Sequence, residues 1–163
     1  MRLLSLPGAI LICCLTVSSV QAQQSNQRQQ RPRTQAESEV QYIARTRTGS
    51  APFSEAVRVG RMLYLSGQLG VDSSGTLVSG GVKAETKQVL ENIKAILERN
   101  GSAMDQVVKC TVMLADIAER PAMSEVYVTF FPPERRPARS TFGTSGLALG
   151  ARVEIECMAT LKQ

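Results

Sequence analysis

Histidine and tryptophan are both absent from the chain. Without histidine there is no histidine base, no Ser-His-Asp triad and no histidine-ligated zinc site, which removes much of hydrolytic enzyme chemistry. Other aromatics are scarce, at three tyrosines and four phenylalanines. Tyr42, Tyr64 and Tyr127 are scattered and the phenylalanines are not interleaved with basic residues. A stacking platform for nucleic acid is therefore missing. The formal charge of +5 does not restore that reading, because Arg28, Arg31 and Arg33 of an N-terminal lead supply much of the excess. Of four cysteines, Cys13 and Cys14 lie in an N-terminal apolar run, leaving Cys110 and Cys157 for the folded part.

The N-terminus has the pattern of an export signal. Arg2 supplies the positive end, residues 3–17 are mostly apolar, and Val20-Gln21-Ala22 ends in the small residue expected before a cleavage point. A membrane anchor needs about 20 apolar residues, and this run is shorter. A lipoprotein reading of Cys13 or Cys14 is the weaker alternative, because Ile12 and Cys13 precede them where a small residue is wanted. Residues 1–22 are thus expected to be a signal peptide, with the mature chain periplasmic or secreted and without a membrane span. The location is cytoplasmic if the segment does not act as a signal. Residues 23–39 are rich in Gln, Arg, Ser and Asn and almost free of apolar side chains, so burial cannot offset the entropy of ordering them. They are expected to be disordered, leaving 40–163 as one small domain that self-association would help to stabilise.

Within that domain the hydrophobic period alternates between strand and helix. Strand-like runs at 56–59 and 61–66 flank a turn at Gly60, with a further strand expected at 42–46 and a loop from Gly67 to Gly75. Val82, Val89, Leu90, Ile93, Ile96 and Leu97 form a helical stripe that Gly101 ends. Residues 107–115 return to alternation, with Val108, Cys110, Val112 and Leu114 expected on the core face. Pro121 opens a second helix running to about Phe131, and strands at 139–144 and 152–161 follow. The order describes an α/β (α+β) domain: a mostly antiparallel sheet with two helices on one face. Cys110 and Cys157 both fall on apolar phases; they would pair if their strands are neighbours, but buried free thiols are the commoner outcome and the one expected.

Two charged residues suggest chemistry. Arg139, in Pro137-Ala138-Arg139-Ser140, offers a rigid, permanently charged fork for a carboxylate. Glu154, in Val153-Glu154-Ile155-Glu156, can hold or activate a water. Pattern alone cannot separate Glu154 from Glu156, or either charge from a solvated position.

These blocks, together with Val57-Arg58-Val59-Gly60, Leu65-Ser66-Gly67-Gln68, Gln88-Val89-Leu90-Glu91-Asn92, Val107-Val108-Lys109-Cys110-Thr111-Val112, Ala115-Asp116 and Val126-Tyr127, resemble the RidA (YjgF) family, formerly described as L-PSP endoribonucleases. The resemblance runs in order from Pro52 to Leu161. It implies a chorismate mutase-like fold, a homotrimer with three pockets between subunits, and hydrolysis of reactive 2-imino or enamino acids to 2-keto acids and ammonia, without metal or cofactor. On that resemblance Arg139 clamps the substrate carboxylate, Glu154 positions the water and selects itself over Glu156, and Ser66, Gly67 and Thr141 line the pocket. An imine carbon is already electrophilic, so orientation, a placed water and charge neutralisation suffice.

The chain departs from the family pattern at several points. Phe53 stands where tyrosine is common, Ser124 where asparagine is common, and Thr141 where cysteine or another small residue is common. The stretch Phe142-Gly143-Thr144-Ser145-Gly146-Leu147 differs as well. The alternative function is a non-catalytic trimer that binds small carboxylates or protects other proteins. An endoribonuclease ranks third.

Overall fold

A computed structural model describes residues 39–45 and 52–163. The expected signal peptide, nearly all of the Gln/Arg-rich lead, and the end of the strand expected at 42–46 lie outside these residues.

Seven strands form one sheet: β1 (Val40–Ile43), β2 (Ala56–Val59), β3 (Met62–Leu65), β4 (Gln68–Leu69), β5 (Val107–Leu114), β6 (Ala138–Gly143) and β7 (Val153–Thr160). Among the described residues two α-helices, α1 (Gly81–Arg99) and α2 (Arg120–Tyr127), interrupt them. The strand order is β1-β2-β3-β7-β5-β6, with β4 also paired to β7. All pairings are antiparallel except β5 with β6, which are parallel and joined through α2 as a crossover. The first strand sits two residues earlier than expected.

The β2–β3 hairpin turns at Gly60, whose φ of 57° is the left-handed conformation that glycine adopts without penalty. Four apolar residues of β7, Val153, Ile155, Cys157 and Ala159, meet Cys110, Val112 and Leu114 of β5 and the stripe of α1 from Val89 to Leu97 in one core. Met123 and Tyr127 of α2 complete it.

Three expectations are corrected. The segment after Gly67 is not all loop: Gln68 and Leu69 pair with Ile155 and Glu154, after the register along β7 slips by one residue relative to β3. Two residues are too short for a periodic signal. Val108 does not share the core face with Cys110, because β5 has an irregularity between Val107 and Lys109 that buries Val107 and exposes Val108. Cys110 and Cys157 are direct cross-strand partners and are joined in a disulfide, with Cα atoms 4.1 Å apart. The expected free thiols gave way because the register sets them side by side, which alternation within each strand cannot reveal.

Candidate active site

Arg139 lies on β6, in register with Cys110, and Thr141 lies in register with Val112. Cys110 and Val112 are fully buried on the helix side of the sheet, so in-register neighbours on β6 project to that same side. Arg139 accordingly meets α2: its Cζ stands 4.8 Å from the ring centroid of Tyr127. Ser124 is one helical turn before Tyr127 and half-buried. Arg139, Thr141 and the Tyr127 face of α2 make one group, at the outer strand of the sheet.

Glu154 belongs to the opposite face. Along β7 it alternates with buried Val153 and Ile155, and it pairs with Met113 and Leu69. Its carboxyl lies over Gly67, so close that a Cβ on Gly67 would clash with Oε1. The register slip between β3 and β4 opens this space, and only glycine leaves it open. Burial, and secondarily the nearby Glu156 carboxylate, hold the Glu154 pKa above its ordinary value. Among the described residues Glu154 has no salt-bridge partner.

Ser66 is committed to the frame: its Oγ donates to Ser54 O at 2.7 Å, and its own carbonyl accepts from Gln68 Nε2 at 2.9 Å. Phe53 is half-exposed, with the Arg45 guanidinium 5.4 Å from its ring centroid. Ser66, Gly67 and Glu154 therefore form a second group, while Phe53 stands with Arg45. The sheet separates Arg139 from Glu154, so a single chain does not bring the expected pair together.

Two recesses are lined by neither residue. One of about 240 Å³ lies beside α1, bordered by Arg45, Gln68, Asn92 and the Arg99–Glu55 ion pair, whose Nη2 and Oε2 are 2.9 Å apart. The other, about 130 Å³, lies on the open face beside Glu156, Lys109 and Tyr64. Tyr127 is the residue that sequence reasoning missed as part of the site. Its place on the apolar stripe of α2 marks it as core, and nothing in the spacing shows that an arginine twelve residues later returns to its ring.

The chain matches the family model described as Endoribonuclease L-PSP over residues 44–161. It is 43% identical over 111 residues to Reactive Intermediate Deaminase A, chloroplastic, of Arabidopsis thaliana, an alignment covering 68% of this chain and 59% of that protein. It is 47% identical over 109 residues to the 2-iminobutanoate/2-iminopropanoate deaminase of Mus musculus, covering 66% of this chain and 80% of that protein. Among solved structures, RidA from the Antarctic bacterium Psychrobacter sp. superposes with a TM-score of 0.67 at 38% identity, over 74% of this chain and 99% of the other.

Proposed function

The chain belongs to the Endoribonuclease L-PSP family, and on that premise we propose that it is an imine deaminase, hydrolysing small 2-imino acids to 2-keto acids and ammonia. The observation that carries this is the likeness to relatives named as imine deaminases, within a family match, residues 44–161, that contains both Arg139 and Glu154.

The chemistry asks little of the protein. Arg139 neutralises and orients the substrate carboxylate with paired N–H donors. Glu154, whose raised proton affinity makes it a stronger base than an exposed glutamate, takes a proton from water as the oxygen attacks the imine carbon. Glu154 returns that proton to the nitrogen to give the carbinolamine, and transfer of the carbinol hydroxyl proton to the nitrogen then lets ammonia leave as the carbonyl of the keto acid forms. The gap above Gly67 is the natural place for the Glu154 carboxyl and its water. Thr141 and Ser124 border the Arg139 end.

Because the two charged groups occupy opposite faces of one sheet, a site that uses both takes Arg139 from one copy and Glu154 from the next. The assembly we propose is a homotrimer with three such sites. The signal-like residues 1–22 support export to the periplasm or beyond, and a Cys110–Cys157 disulfide suits such an oxidising compartment. The family's older ribonuclease name gains no support from a chain without histidine and with scattered aromatics.

The test is ammonia and keto-acid formation from imines generated in situ by an amino-acid oxidase, using the mature protein, Arg139→Ala and Glu154→Gln. Acceleration that both variants lose supports the deaminase. No acceleration with any imine side chain moves a carboxylate-binding module to first place.

A further inference from the structure

The guanidinium of Arg139 is restrained without using the donors that a carboxylate would need. Among the described residues its strand β6 is an outer strand of the sheet, bonded only to β5. Among the described residues Arg139 makes no salt bridge. The contact that fixes it is the ring of Tyr127, 4.8 Å from Cζ. A salt bridge would orient the group by occupying its N–H bonds; attraction of the cation to a π face holds it without pairing those donors to a carboxylate.

Tyr127 is 3% exposed and packs against Phe131, ring centroids 4.9 Å apart. Its hydroxyl is buried and has no hydrogen-bond partner among the described residues. Sealed from solvent, that hydroxyl does not touch a ligand held at the surface. Burial pushes its pKa up to about 12, against the opposing pull of Arg139, so it is neither a proton carrier nor a counter-ion at ordinary pH. The ring is what remains.

We infer that Tyr127 is a positioning residue of the carboxylate site, its ring serving as the platform that sets the Arg139 fork while its hydroxyl contributes nothing to binding. The inference rests on the deaminase reading for the substrate, but the platform itself requires only a carboxylate ligand.

The test compares Tyr127→Phe, Tyr127→Met and Met123→Ala, the last removing buried volume from the same helix while leaving the ring in place. Steady-state rates on oxidase-generated imines give KM and kcat, and ¹⁵N relaxation of the Arg139 Nε–H reports the order of the guanidinium. Tyr127→Phe should match wild type in both. Tyr127→Met should raise KM about 3- to 30-fold, with kcat within about twofold, and loosen Nε. Met123→Ala should lower Tm and leave KM alone. If Tyr127→Met does not fold, Tyr127→pentafluorophenylalanine keeps the shape and removes the attraction of the π face, and should raise KM relative to Tyr127→Phe. Wild-type KM and an ordered Nε without the π face overturn the inference. So does Tyr127→Phe as impaired as Tyr127→Met, or Met123→Ala raising KM equally. If wild type shows no deaminase activity, that reading fails by itself, and the platform is then judged on Nε order with 2-oxobutanoate as the carboxylate probe.

Discussion

The two ends of the candidate site present charge in opposite ways. Arg139 has its Cζ 4.8 Å from the ring centroid of Tyr127, on the helix side of an outer strand, and makes no salt bridge among the described residues. Glu154 lies on the other face of a central strand, over a glycine, where burial and Glu156 raise its proton affinity. Elsewhere in the same chain three pairs of charges meet: Arg99 with Glu55, Arg152 with Glu119, Lys83 with Glu125. A cation stacked on a ring suits binding an anion, and a carboxylate with a raised pKa suits handling a proton. The difference teaches that one chain presents these two charges on opposite faces of its sheet, and the proposed shared site would join them between copies.

The sharpest way to break this comparison is to mix its halves. Arg139→Ala and Glu154→Gln should each lower kcat/KM by about 10²- to 10³-fold. If sites form between copies, refolding the two inactive proteins together should restore about a quarter of wild-type activity, because one site in four then joins an intact arginine to an intact glutamate. No recovery would mean that one chain supplies both residues.

The disulfide ties β5, the neighbour of Arg139's strand, to β7, which carries Glu154. It closes a sequence separation of 47 residues. Cys110→Ala with Cys157→Ala should therefore cost about 3–4 kcal/mol in chemical denaturation, with both ends of the site weakened together. Unchanged stability would show that the core packing alone holds the two strands.

Gly67→Ala should touch one end only. The new methyl displaces the carboxyl of Glu154, the movable end of a flexible side chain, so stability should change by less than about 1 kcal/mol. The catalytic cost should be about tenfold in kcat, with KM little altered. A rise in KM without loss of kcat would reassign Gly67 to substrate binding.

The smallest effect concerns Glu154 and pH. Its folded pKa lies above the ordinary 4.5, so the folded state binds this proton more tightly than the unfolded one. Its contribution is most favourable below 4.5 and declines as pH rises through the folded value. Glu154→Gln should consequently be slightly more stable than wild type at pH 7, and thermal denaturation should show that advantage vanish below pH 4. A variant less stable at neutral pH would mean that the ionised carboxylate is held favourably.

Much of the architecture was legible along the chain. The stripe Val89, Leu90, Ile93, Ile96 and Leu97 marked α1, and the alternation of Val153, Ile155, Cys157 and Ala159 marked β7, because burial on one face imposes these periods directly. The two-residue strand β4 and the exposure of Val108 were not legible, since each depends on a slip in pairing with β7 rather than on local pattern. Arg139 and Glu154 stood out by residue type and by their family blocks. Their placement on opposite faces did not, although Arg139 falls in register with a core residue and Glu154 does not.

By itself the sequence determined the two helices and the longer strands, the family, and the limits set by the absence of histidine. These follow from side-chain chemistry and spacing, which every residue carries before it folds. Only the tertiary structure decided that Cys110 meets Cys157, that Tyr127 underlies Arg139, and that Gly67 makes room for Glu154. Each of these is a meeting of residues far apart in the chain, fixed by strand register and by packing across the sheet, and neither quantity is written in local periodicity.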